Sequence, residues 1–308
     1  MGEKLTTPVL FIVFNRPDTT RRVFNEIRRG KPTKLFVAAD GPRKNKKGEN
    51  ERCQAARDII NQVDWDCKVK TLFRGKNLGC KMAVSSAIDW FFENVEEGII
   101  LEDDCVPSQS FFWFCQELLE KYKDDERVMM ISGTNVNIEW KSDLQDYHFS
   151  YYGGIWGWGT WKRAWNYFDV EMSKWKNTYW RKQIKYLIGE KQYKERARNY
   201  EKTFTKQLDA WGYAWSFARL INSGMSVVPS KNLISNIGFN SEATHTKNMR
   251  HKTNNLKRFE IELPLTDNPI VIVDGDYDYV FSSINNRSLL KRTIDRARKV
   301  FQRIYIRF

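Results

Sequence analysis

The chain has 308 residues, 41% hydrophobic and 14% aromatic with twelve Trp, enough apolar mass for a packed core and far from the composition of a disordered chain. Lys and Arg number 51 against 38 Asp and Glu, and the resulting +13 favours anionic partners such as nucleic acid, nucleotide phosphates or anionic lipid headgroups. The five cysteines form no CxxC pair, which speaks against a disulfide framework or a structural zinc site, and no run approaches the roughly 20 apolar residues of a membrane span.

In chain order, "MGEKLTTPVLFIVFNRP" enters an apolar run without the pattern of a secretory signal, so a cytoplasmic chain is expected. "PVLFIVF" (8–14) reads as a buried strand and 19–29 as an amphipathic helix. "KLFVAAD" (34–40) is a second strand, followed by the polar loop "GPRKNKKGEN" and a helix over 50–62. "KVKTLFR" (68–74) is a third strand, "NLGCKMAVSSAIDWFFEN" a helix, "GIILEDD" (98–104) a fourth strand, 108–122 a helix and "RVMMIS" (127–132) a fifth strand. Strands alternating with helices predict right-handed crossovers and an α/β fold with a mainly parallel sheet covered on both faces. From about residue 147 the texture changes to aromatic-rich helices and loops.

Open parallel sheets bind ligands outside the carboxyl ends of their strands. Asn15 and Arg16 fall there after the first strand, Asp40 and Gly41 after the second, and Glu102, Asp103 and Asp104 after the fourth. An Arg opening a helix and an Asp-Gly turn are also ordinary loop chemistry. Three clustered carboxylates are not, because they repel one another unless a cation joins them. With no set of His or Cys ligands nearby, the ion that suits them is Mg²⁺ or Mn²⁺, which carboxylates hold together with substrate phosphates. A nucleotide diphosphate is the natural co-ligand, and neither a GxxxxGK[ST] loop nor a GxGxxG fingerprint is present to hold phosphates in another way.

The segments "PVLFIVFNRPDTTRRVFNEI", "VAADGPR", "LEDDCVPSQSFFWF" and "ISGTN" together resemble the GT-A glycosyltransferases, most closely the N-acetylglucosaminyltransferase I type, over roughly residues 8 to 247. The resemblance implies a GT-A fold and an inverting, metal-dependent transfer from a UDP-sugar, with Mn²⁺ or Mg²⁺ as cofactor. It implies Asp104 as the direct metal ligand, Glu102 and Asp103 at the ribose and sugar, and Arg16 and Asp40 as nucleotide-holding residues. "TKQLDAWGYAWSFA" is similar to the family's Trp-Asp-Asp-Trp stretch, which implies Asp209 as the catalytic base; Ala210 replaces the second acid, and a helix N-cap is the competing role for Asp209.

"SYYGGIWGWGTWKRAW" (150–165) combines glycines, which let a backbone approach a ligand, with aromatic faces that suit sugar rings. The resembled family carries a Gly-Trp pair in the corresponding loop, which implies Trp156 and Trp158 at the donor or acceptor sugar, with core packing as the competing reading. "ISNIGFNSEATHTKN" (234–248) is similar to a family loop that closes over the diphosphate, which implies His245 as a donor contact.

From Asn286 to the end, eight Lys and Arg stand against the single acid Asp295, and an apolar stripe runs through Leu289, Ile294, Phe301 and Tyr305. A basic amphipathic helix with aromatic residues is expected to rest on an anionic membrane surface, placing the protein peripherally on the inner face of the cell membrane. The expected organisation is a catalytic domain over 1–265, with a nucleotide-binding half (1–135) and an acceptor-binding half (136–265), followed by an extension over 266–308. The expected partners are a UDP-sugar, with N-acetylglucosamine the leading sugar, and a glycan or lipid-linked acceptor in surface polysaccharide synthesis. A nucleic-acid-binding protein is disfavoured because the charge concentrates in the tail, and a sugar nucleotidyltransferase because "FNRPDTTRR" lacks a glycine-rich turn.

Overall fold

The computed structural model describes residues 4–238, 253–266 and 268–283. The first half follows the alternation: β1 (Val9–Val13), α1 (Pro17–Gly30), β2 (Lys34–Ala39), α2 (Glu49–Asp58), β3 (Lys68–Phe73), α3 (Gly79–Phe92), β4 (Glu97–Glu102), β5 (Cys105–Pro107), α4 (Gln109–Lys121) and β6 (Val128–Ser132). The second half supplies β7 (Tyr147–Ser150), β8 (Trp158–Trp161), α5 (Lys162–Trp165), α6 (Thr178–Ile188), α7 (Glu190–Phe204), α8 (Trp211–Ile221), β9 (Met225–Pro229), β10 (Ile234–Asn236) and α9 (Gly275–Ser283).

Eight strands form one mixed, mainly parallel sheet in the order β3-β2-β1-β4-β8-β6-β9-β7, and β10 pairs with β5 in a small second sheet. The strand period of two divides the core into two layers. Val9, Phe11 and Val13 of β1 join Ile99 and Leu101 of β4 against α1 and α4. Leu10, Ile12 and Ile100 face the other way, against Ala87, Ile88 and Phe91 of α3 and Trp211 and Trp215 of α8. The α/β fold with helices on both faces is therefore the one the alternation predicts.

Two differences follow from residues that the alternation does not cover. The four-residue strand β8 inserts antiparallel between β4 and β6, and its composition, Trp-Gly-Thr-Trp, is too short to carry a periodic signal. The predicted boundary at 265 is not a break in packing, because Asp274 accepts from Trp140 Nε1 at 2.9 Å and Tyr277 is buried against His148 with ring centroids 4.2 Å apart. The basic amphipathic segment expected after residue 286 lies outside the described residues. Among the described residues no helix is long and apolar enough to cross a membrane.

The order β3-β2-β1-β4 is what locates the site. From β1 the chain crosses outward through α1 to β2 and through α2 to β3, then returns through α3 on the opposite face to β4, beside β1. The neighbouring carboxyl ends of β1 and β4 thus open at the point where the crossovers diverge, the crevice in which such sheets bind ligands.

Gly98 in β4 is a sensitive point of this frame. A Cβ there would lie 2.3 Å from the Phe91 ring and 2.8 Å from the Pro8 carbonyl oxygen. Gly98→Ala is expected to destabilise the fold by about 1–3 kcal/mol through overpacking, read as a fall of several degrees in melting temperature; an unchanged melt would show that α3 and β4 are not packed in this register.

Candidate functional site

Arg16 leaves β1 and opens α1, where the preset backbone of Pro17 suits the first helical position. Its own carbonyl is fixed by the Thr20 amide at 3.0 Å and the Thr20 hydroxyl at 2.7 Å. With the main chain held, the side chain reaches across to the end of β4, where its guanidinium pairs with Asp103 and, at 2.9 Å, with Asp104. The Phe14 amide donates to the second Asp103 oxygen at 3.2 Å. Burial opposes the charge on Arg16, and the two carboxylates more than offset it, so the guanidinium holds its proton more tightly than usual.

Only Glu102 of the three acids lies within the strand, whereas the predicted span runs to 104; β4 ends at Glu102, and Asp103 and Asp104 form the turn into β5. That turn brings the Asp103 and Asp104 carboxylates to Arg16 beyond the β1 end, beside Glu102, which pairs in register with Ile12. Asp103 is buried, and its carboxyl is pushed up to about 6 by burial, with Arg16 opposing the rise. Glu102 is pushed up to about 8, first by burial and then by Asp104 and Asp103. One arginine for three acids leaves the cluster in need of positive charge.

Strand β10 brings a second support that the site residues expected from sequence did not include. Pairing of Asn236 with Cys105 places the Asn236 side-chain amide 3.3 Å from Asp104, and the Ile237 amide donates to the Asp104 carbonyl at 2.9 Å. Gly238 follows; a Cβ there would sit 1.9 Å from an Asp104 oxygen and 2.8 Å from Arg16. Any side chain there would have to push the Asp104 carboxylate from its place, and "ISNIG" alone gives no sign of it. Glu49, fully buried at 0% exposure, is another such support. It accepts from Asn15 at 2.8 Å and from Arg43, whose hydrogen bonds lower its carboxyl to about 2. It anchors the residue before Arg16.

The cluster opens into a cavity of about 710 Å³, within the range of small-molecule clefts. Arg16, Glu102, Asp104 and Cys80 line it, together with Trp156 and residues of α7 and α8, Trp211 among them. The Cys80 thiol is pushed well up by burial and then by Glu102, Asp209 and Asp104, which keeps it protonated and a poor nucleophile.

The expected site residues divide accordingly. Arg16, Glu102, Asp103 and Asp104 come together, and Trp156 lines the same cavity. Trp158 does not reach it: with 0% exposure it packs among Trp165, Trp211 and Trp215, so the expected sugar contact is a core side chain. Asp40 ties down the chain ahead of α3, accepting from Asn77 at 2.8 Å, the Leu78 amide at 3.0 Å and the Gly41 amide at 2.9 Å. Asp209 is exposed and caps α3, a helix distant in sequence, by accepting from the Cys80 and Lys81 amides at 2.8 and 2.9 Å. Its neighbours Leu208 and Ala210 line the cavity. His245 lies outside the described residues.

No protein-family model matches the sequence, and no curated protein matches it. Among solved structures, the chain is similar to HddC from Yersinia pseudotuberculosis at a TM-score of 0.29 and 10% identity, over 41% of this chain and 57% of that one. It is similar to mouse xyloside xylosyltransferase 1 at 0.27 and 11%, over 42% and 53%. With UDP-glucose pyrophosphorylase complexed with UDP-glucose the values are 0.27 and 10%, over 47% and 62%. The chain thus spans under two thirds of each of these proteins.

Glu102 gives the site a pH signature. As pH rises from about 4.5 toward 8 the unfolded chain ionises this carboxyl while the folded chain keeps it neutral, so stability falls across that window. Without divalent ions, the melting temperature of Glu102→Gln relative to wild type is expected to rise from pH 4.5 to 8. A difference independent of pH would show that Glu102 is not held neutral by the fold.

Proposed function

We propose that this chain is an inverting, metal-assisted glycosyltransferase of the GT-A type, moving a sugar from a UDP-sugar to a hydroxyl group of a glycan or lipid-linked acceptor, with N-acetylglucosamine as the leading sugar. The observation that carries this reading is the charge arrangement at the switch point between β1 and β4. Glu102 and Asp104 face a ligand-sized cavity, and Arg16 is the one cation paired with the acid turn among the described residues.

Among the described residues no three His, Cys, Asp or Glu side chains surround one point as a ready metal cage. The donors fit Mn²⁺ or Mg²⁺ nonetheless: Glu102 and Asp104 are hard oxygen ligands, and such ions complete their shells with phosphate and water. Asp104 is the proposed direct ligand, with Glu102 beside it; the ion, when bound, neutralises charge developing on the leaving diphosphate.

The chain's own residues supply the rest. Arg16 offers a fixed positive charge for the diphosphate, and Trp156 an aromatic surface for a sugar ring. Asp209 is the proposed base; its two hydrogen bonds to α3 leave lone pairs free to accept the proton of the attacking hydroxyl. A nucleotidyltransferase would need a glycine-rich phosphate turn after β1. Only Phe14, Asn15 and Arg16 separate β1 from α1, and Asn15 and Arg16 are tied to Glu49 and the acid turn.

Manganese-dependent release of UDP from UDP-sugars, measured without acceptor, tests the assignment. Asp104→Asn is expected to abolish it, and unchanged manganese dependence in that variant would remove Asp104 as ligand. Asp209→Asn is expected to keep donor binding and lose transfer by roughly 10²- to 10⁴-fold. Loss of thermal stability with normal turnover would leave Asp209 as a cap of α3 only.

A further inference from the structure

The end of the cavity away from the acid turn is built around two arginines. Arg219 of α8 is 2% exposed yet lines the cavity, and its Nε has no hydrogen-bond partner. Its Nη1 donates to the Ser226 hydroxyl at 2.5 Å. Arg196 of α7 lines the same end, stacked 4.1 Å over the Tyr152 ring, and donates to the Ser216 hydroxyl at 2.9 Å. Among the described residues neither arginine has an acid within ion-pair distance. Asp278, the buried acid nearby, is engaged by the Ser150 hydroxyl and by the Tyr151 amide at 3.1 Å. Exposed Glu195 also lines the cavity.

Two guanidinium groups held mainly by neutral hydroxyls and a ring form a site short of negative charge. Burial and then Arg196 lower Arg219 to about 10, and the nearby Tyr200 and Asp278 offset this only in part. The backbone makes room beside them: a Cβ on Gly153 would lie 2.6 Å from the Ser226 hydroxyl. Ser226 is on β9, three strands from β4 in the sheet, a separation of roughly 14 Å at the usual strand spacing.

We propose that Arg196 and Arg219 bind an anionic group, a carboxylate or a phosphate, carried by the acceptor. This rests on the glycosyltransferase reading for the word acceptor, while the anion site stands on the arginines themselves. Planar guanidinium groups recognise either oxyanion through paired hydrogen bonds, and a neutral sugar would leave both charges uncompensated.

The test titrates the full chain with methyl β-D-glucuronide, glycerol 1-phosphate and neutral methyl β-D-glucoside, read by ligand-observed NMR. One or both anionic probes are expected to bind, the glucoside to bind much more weakly, and the stronger anion identifies the source as acidic sugar or phosphate. Arg219→Met and Arg196→Gln are expected to weaken the anionic probe about 10- to 100-fold, with Arg219→Lys in between. Should Arg219→Met fail to fold, Arg196→Gln decides, because Arg196 is only half-buried. Equal binding of the glucoside, or unchanged anion binding in folded Arg196→Gln, overturns the proposal. UDP titrated into the wild-type chain with Mn²⁺ reports the other end separately: anion binding through the arginines without UDP binding would sink the glycosyltransferase reading and leave the anion site, and the opposite pattern would do the reverse.

Discussion

The bridge from Arg16 to Asp103 and Asp104 is the contact around which the candidate site is organised. It joins the end of β1 to the turn after β4, two segments more than eighty residues apart that the parallel pairing of Ile12 with Glu102 brings side by side. Without the arginine, three carboxylates would share a poorly solvated corner, and burial would drive more of them to the neutral form. With it, the corner retains acidity that one cation does not exhaust, a favourable setting for a second, hard cation and the phosphates that accompany one. The Asp104 side is closed by β10 and the Gly238 that follows it, where a Cβ would have to displace the Asp104 carboxylate.

Much of this was legible in the sequence, because buried parallel strands read as continuous apolar runs and their carboxyl ends can be located to within a residue or two. The strands ending near Arg16, Asp40 and Glu102 were recoverable in that way, and with them the convergence of Arg16 on the acids. Contacts made through unrelated loops were not. Asp209 looks like a cap for the helix that follows it and instead caps α3, because the partner amides are about 130 positions away in sequence. Asp40 has the look of a ligand residue and is engaged in holding the Asn77–Leu78 turn.

The aromatic second half shows the same limit differently. Trp156 and Trp158 are two positions apart, and composition treats them alike. In β8 the strand period sends Trp158 into the tryptophan layer over α8, while Trp156, before the strand, stays at the cavity. The arginines of α7 and α8 carry no motif at all; they matter because the α7–α8 pair and β9 enclose them around one end of the cavity. The proposed roles would give the cavity a cation-binding side at the sheet's switch point and an anion-binding side over β9, a polarity that would suit a metal-bound diphosphate and an acceptor of negative charge.

The central claim is that the acid turn holds a divalent ion together with a nucleoside diphosphate, and electron paramagnetic resonance of Mn²⁺ reads that directly. On titration with the full chain and UDP, the free aqua-ion signal is expected to give way to a bound species that requires both protein and nucleotide. In Asp104→Asn the free signal is expected to persist. A bound signal of equal intensity in that variant, or no bound species in wild type with UDP present, would contradict the assignment of this crevice.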